Sequence, residues 1–501
     1  MNRLSPPLGI AALLCAIVVV SNAGPLDPPS GPVDSTYKTL DEVEPRTVLT
    51  QAGGEVIVID QPGSYTLGES FTPIFSGVII RSGRVTLDLN GFEIRGDSDQ
   101  QFTPEYGVLI DFEDTSVSPV TIRNGTITGF TGAAIKSISS SVRVTVEDVT
   151  CGQGEEGGID IQSEGAVRRC SVVTTIATAS PAAIALGAGV IEDCLVRATV
   201  GDGYRLGSGE IRNSRAQQVT GAGFVLGGEG GAATVIARNC TALRADAQGF
   251  HIVSPATLIG CAARLNDGVG FESDAPVSFR ECLSVENGGS GFSVVNRATF
   301  HACTATSNGA DGFRQRRSEA PTTLGSSASV FTDCLSASNT NAGFDLDNGA
   351  LVRGCTAESN AVGFVTLFGA TISDSHAQAN SGHGFDTGPE VTITDCTAVR
   401  NGGDGFRFAI GGRAFNCSAH ECQGIGFLAG TRTTIDSCTA TGCDVGFSEP
   451  GPSGGAVFVR NTASSNTTDY DIANANHGPI IDRTASSGVI STSNPLANIR
   501  Y

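Results

Sequence analysis

Tryptophan is absent from this chain, tyrosine occurs six times and methionine once. The aromatic platforms that usually stack on sugar rings are therefore scarce, which weighs against an ordinary carbohydrate cleft. Lysine is nearly missing too, with two residues against 29 arginines, an asymmetry that reads as a compositional habit rather than a binding signal. The net charge is −20. So acidic a chain disfavours nucleic acid as a partner, and a polyuronate would need Ca²⁺ to bridge the like charges. No helical stripe of three or four turns appears in the second half, and no apolar run after residue 20 is long enough to span a bilayer.

What is present at the start is Arg3, an apolar run over residues 10–20 and then Ser21-Asn22-Ala23. This is the pattern of a secretory signal peptide, residues 1–23, with a small-residue cleavage site. Cys15 lacks the small residue before it that a lipid anchor would want. Residues 24–48 read as a linker and lead-in segment, 49–81 as an N-terminal cap and 471–501 as a C-terminal cap. The expected location is secreted or cell-envelope.

Between these lies a repeat. Ten Gly-Phe pairs in the second half place Phe at 250, 271, 292, 313, 344, 364, 385, 406, 427 and 447. Ten residues ahead of most of them runs a second column, with Cys240, Cys261, Cys282, Cys303, Cys334, Cys355, Ser375, Cys396, Cys417 and Cys438. Fixed-period self-similarity marks a solenoid, in which each repeat contacts only its neighbours. Three places before the Cys column sits an apolar residue, as in Ile372, Ile393 and Ile435, and two places after it a small one, as in Ala377, Ala398 and Ala419. Asn266, Asn287, Asn308, Asn339, Asn360, Asn380 and Asn401 stand five places after it. Apolar residues at two-residue steps, broken by Asn and Gly-Gly, predict very short strands joined by turns.

About 17 coils of roughly 21 residues fit between residues 82 and 470, stacked at strand spacing of about 4.8 Å. Two coils are stretched, by about five residues before Phe250 and about ten within residues 314–328, and these must leave the rod as loops.

These columns resemble the right-handed parallel β-helix repeat family, over roughly residues 82–470. Gln61-Pro62-Gly63-Ser64-Tyr65 and Val85-Thr86-Leu87-Asp88-Leu89-Asn90-Gly91-Phe92 are similar to openings of large secreted bacterial β-helix proteins, and the ending Asn494 to Tyr501 is similar to their closing segment. The resemblance implies an all-β, right-handed parallel β-helix solenoid. It leaves function open, since such folds include polysaccharide lyases, glycoside hydrolases, esterases, tailspikes and adhesins.

Export would favour disulfides among the 15 cysteines. Their spacing argues against it: Cβ atoms stacked at about 4.8 Å lie farther apart than the ~3.8 Å a disulfide prefers. The column is expected to be buried free thiol. Cys422 and Cys443, in the Asn column of adjacent coils, are the exception and the candidates for a bridge or a metal.

Asp374 and Asp395, one place before the Cys column on adjacent coils, are the candidate cation site, with Ca²⁺ as the one possible cofactor, and the candidate catalytic pair. A solvated polar edge is the plainer reading, since Gly354 and Ser437 interrupt the row. Arg314, Arg316 and Arg317 form the basic cluster of the long loop and could hold a carboxylate or sulfate; His301 and Arg280 lie one and two coils earlier. Glu155-Glu156, Asp160 and Glu164 make an acidic turn region that matches no metal loop. Gly382-His383-Gly384 resembles the Gly-His-Gly of polygalacturonases, but it aligns with Gly403-Asp404-Gly405, and that family's other Asp motifs are missing. The reading is an exported, non-catalytic β-helix protein in adhesion or glycan contact. The alternative is a polysaccharide lyase or glycoside hydrolase.

Overall fold

The computed structural model describes residues 46–501 apart from 52, 97–104, 113–117, 153, 155–156, 174–181, 229–232, 296, 317–327, 450, 452–453, 485–489 and 491. The signal peptide and most of the linker read from the sequence lie outside the described residues. No helix occurs among the described residues, and every strand pairing is parallel.

One coil shows how the chain turns. Thr392–Thr394 belongs to a first sheet, Thr397–Val399 to a second and Phe406–Phe408 to a third. Each pairs with its equivalent in the next coil, so that Ile393 meets Ala414, Ala398 meets Ala419 and Phe406 meets Phe427. Side chains alternate across a strand. Ile393, Ala398 and Phe406 therefore point into the rod and are fully buried, while Thr392, Thr397 and Arg407 point out.

The third sheet stacks strands from Ile57–Ile59 to Thr468–Asp471, making about 19 turns rather than 17. The extra turns come early. Ile57–Ile59 and Val78–Ile80 already pair in parallel within the stretch read as an N-terminal cap, and they carry neither Gly-Phe nor Cys to announce it.

Two corners recur as left-handed in most of the later coils. Asp395 and Arg400 have φ of 55° and 52°, as do their equivalents coil after coil, including Asp374, Asn416, Glu421 and Ser437. Left-handed backbone costs a non-glycine residue roughly 1–2 kcal/mol, and Asn and Asp bear it best. No β-branched residue with positive φ occurs among the described residues. The cost is offset by hydrogen bonds to the next coil, such as Asp374 N–H to the Thr394 carbonyl at 3.2 Å and Asp395 N–H to that of Phe415 at 3.1 Å.

The interior consists of like on like. Phenylalanine rings of the third sheet stack with centroids 4.6 to 5.1 Å apart from Phe224 to Phe447. The stack is longer than the ten Gly-Phe pairs suggest. Phe224 extends it, and Tyr204 and Tyr470 close its two ends. Those are the places where a ring with a hydroxyl fits, because the Tyr204 hydroxyl reaches the Arg215 carbonyl at 3.1 Å and that of Tyr470 the Ile499 carbonyl at 2.9 Å. The Asn column is a buried amide ladder. In it Asn380 Nδ2 donates to Asn401 Oδ1 at 3.0 Å, and the Asn380 backbone N–H shares the same acceptor at 3.1 Å.

All 14 described cysteines are free and buried. The column asks for more than a small apolar residue. Cys396 Sγ donates to the Thr394 carbonyl at 3.2 Å, and where Ser375 stands its hydroxyl makes the same bond to Ser373 at 2.8 Å. A short donor is what the corner needs, so Ser replaces Cys freely. Burial pushes the Cys151 thiol up to about 12, which keeps it protonated and inert. Titration of the denatured, unreduced protein is accordingly expected to find these thiols nearly all free. A majority of paired cysteines would overturn the ladder.

Candidate functional site

Since the interior is given over to packing, any site must be built from outward positions and turns. Asp374 and Asp395 do lie on adjacent coils at the exposed corner, as expected, but each already has a partner. Arg353 Nε stands 3.4 Å from Asp374 Oδ2, and Asn416 Nδ2 donates to Asp395 Oδ1 at 2.6 Å. No group of three or more His, Cys, Asp or Glu side chains placed to hold a metal occurs among the described residues. Cys422 and Cys443 are free and buried.

Two of the three arginines of the cluster are described. Arg317 lies outside the described residues. Arg314 points outward from the third sheet, in register between Ser293 and Asp345. Arg316 folds back across the coils to meet Glu272 Oε1 at 3.0 Å, Asp274 Oδ1 at 2.6 Å and the Ser273 carbonyl at 2.5 Å. His251 Nε2 lies 3.0 Å from the other Asp274 oxygen, and Gln248 Nε2 donates to Glu272 at 2.7 Å. Burial works to raise the Asp274 carboxyl, but hydrogen bonds from His251 and Arg316, with the Arg316 charge, hold it below its ordinary value. Arg316 is thus a strap on the outer wall of the rod. His251, Glu272 and Asp274 were not legible as its partners, because nothing repeats them.

Of the remaining candidates, Glu155 and Glu156 lie outside the described residues. Asp160 pairs with Lys136 and Glu164 with Arg143. Arg280 and His301 are register partners at the end of the first sheet, and His301 reaches Asp333 at 3.9 Å. The His383 ring accepts the Asp404 backbone N–H at Nδ1, 2.9 Å away, which pins a turn.

Two outward features escaped the sequence reading. One is a hydroxyl-rich stripe on the second sheet, where Thr356, His376, Thr397, Ser418, Thr439 and Thr462 stand in register on successive coils. The position immediately after the Cys column carries this signal. The first sheet adds Thr371, Thr392, Arg413 and Thr434. The other is a groove of about 320 Å³ at the edge of the first sheet, lined by Glu390, Thr392, Ile410, Gly411, Arg413 and Arg432.

The model of the family described as right handed beta helix region matches residues 106–263 and 323–430, more than half of the chain. The chain belongs to the right-handed β-helix family. No curated protein matches it. Among solved structures it is similar to the catalytic unit of a thermostable alpha-1,3-glucanase from Streptomyces thermodiastaticus, at 14% identity and a TM-score of 0.32, covering 72% of this chain and 64% of that one. It therefore spans less than two thirds of that catalytic unit. The A-module of a mannuronan C-5 epimerase from Azotobacter vinelandii matches at 12% identity and TM-score 0.20, over 83% of this chain and 90% of that one. Pectate lyase Pel9A matches at 13% identity and TM-score 0.21, over 81% and 71%. At such values the assignment to the β-helix family rests on the family model and on the parallel coils themselves.

Proposed function

We propose that this β-helix is an exported, non-catalytic rod that contacts glycans, at the cell surface or outside it. The observation that supports this is the outward stripe from Thr356 to Thr462, continued on the first sheet by Thr371, Thr392 and Thr434. A linear polymer laid along the rod meets a hydroxyl or imidazole at every coil. Each hydrogen bond is weak alone, but repeated contacts on one rigid surface add through effective concentration. Because the side chains are set by a stacked sheet, little ordering entropy is lost on binding. The glucanase, the epimerase and the lyase are named for work on polysaccharides, which accords with glycan contact.

The alternative reading, a polysaccharide lyase or glycoside hydrolase, draws on Asp374 and Asp395 standing on adjacent coils, where a bound Ca²⁺ would compete with Arg353 and Asn416 for their oxygens. One set of measurements separates the two. The purified protein is screened on a glycan array and assayed for reducing-sugar release, each with and without Ca²⁺. Binding to at least one polysaccharide, weakened in the T397V/T439V variant and unaccompanied by cleavage, is expected. Cleavage that vanishes in D374N/D395N would establish the enzyme instead, and an empty array would remove glycan contact.

A further inference from the structure

We infer that the groove at Gly411 receives the anionic group of a glycan, a carboxylate or a sulfate; this rests on the glycan-contact reading and narrows it to charged sugars. The groove exists because of a missing side chain. Glu390, Gly411 and Arg432 occupy the same corner on three successive coils, with φ of 58°, 75° and 61°. The middle one has no side chain, so a notch opens between the Glu390 and Arg432 side chains.

Two guanidinium groups border that notch. Arg432 stands on the corner, and Arg413 projects outward from Arg413–Phe415, in register between Thr392 and Thr434. Both are exposed. Arg353, Arg400, Arg407 and Arg460, on the same stretch of rod, each have a carboxylate within 4 Å. Neither Arg413 nor Arg432 has a side-chain hydrogen bond or ion pair among the described residues, although Glu390 lines the same groove.

Guanidinium forks match carboxylate and sulfate oxygens in geometry and form charge-assisted hydrogen bonds with them, and two such groups at one notch take locally the bridging role that the net charge of −20 would otherwise leave to Ca²⁺. The rest of the groove suits a pyranose. Ile410, 48% exposed, offers an apolar surface to the C–H face of a ring. The Thr392 hydroxyl and the Glu390 carboxylate can take up ring hydroxyls. Thr392 and Arg413 also belong to the outward row of the first sheet, so an anchored residue sits in line with the polymer path along the rod.

The test is calorimetry on the full chain with three probes: oligogalacturonate, a sulfated galactan oligosaccharide and a neutral cello-oligosaccharide. Three proteins are compared: wild type, R413A/R432A, and R81A/R84A. The last removes the same charge at exposed arginines far along the rod. Affinity for one or both anionic probes is expected to fall about tenfold in R413A/R432A, to stay unchanged in R81A/R84A and to weaken with salt. Which anionic probe responds tells carboxylate from sulfate. Equal losses in both variants would mean diffuse charge attraction and overturn the inference. Binding of the neutral probe alone, unaffected in R413A/R432A, would overturn the inference and leave glycan contact standing. No binding of any probe would overturn both.

Discussion

Phe406→Ala is expected to destabilise the rod by about 3–5 kcal/mol, the cost of truncating a core aromatic. The ring lies between Phe385 and Phe427, with centroids 4.7 Å away on either side, and it is fully buried. The cavity cannot close by a rotamer change, because both neighbours are held by their own coils at the strand spacing. Arg407→Ala, one residue on, removes an exposed side chain whose partners are His383 at 3.4 Å and Asp386 at 3.9 Å. That change is expected to stay within about 0.5 kcal/mol. Denaturant midpoints of the two variants against wild type decide the matter, and equal effects would mean that the inside and outside of the third sheet have been exchanged. Unfolding of a solenoid need not be all-or-none, so a shift confined to one transition would also locate the coils that melt together.

The second large effect is expected in the amide ladder. Asn380→Leu keeps the branched heavy-atom skeleton but removes every hydrogen bond the side chain makes. Asn380 Oδ1 accepts from the Asn360 backbone N–H at 2.9 Å and from Asn360 Nδ2 at 3.3 Å, while its Nδ2 donates to Asn401 Oδ1 at 3.0 Å and the Ala357 carbonyl at 3.1 Å. All of these groups are buried, and each one left unpaired costs roughly 1–3 kcal/mol. The loss should therefore reach at least about 3 kcal/mol, and amide hydrogen exchange at Asn360 should accelerate because its acceptor is gone. A loss below about 1 kcal/mol, with Asn360 still protected, would show that water enters and replaces the ladder. Asn380→Cys should be milder, since Cys422, one coil after Asn401 in the same column, is buried there.

The sequence by itself determined the architecture and the interior of this protein. Parallel stacking sets each residue on its counterpart one coil away, so a position that must be ring, amide or short donor has to be so in every coil. The columns of Phe, Asn and Cys are that requirement written out, and Ser375 in the Cys column already hinted at free thiols. The early coils were less legible because Ile57–Ile59 and Val78–Ile80 fill the same interior with aliphatic residues that carry no recurring partner. The outer surface obeys no such rule. Arg316 meets Glu272 and Asp274 across 44 and 42 residues because its long side chain folds back over earlier coils instead of stacking on a counterpart. Asp374 and Asp395 read as a carboxylate pair, yet they occupy corners whose left-handed backbone favours Asp and Asn, and each is partnered by a different neighbour. The notch at Gly411 depends on which of three stacked corners lacks a side chain, and on the angle at which Arg413 and Arg432 leave the sheet and the turn. Only the folded coil decides these things, since an outward residue is free to vary from one coil to the next and its partners are chosen by geometry rather than by repetition.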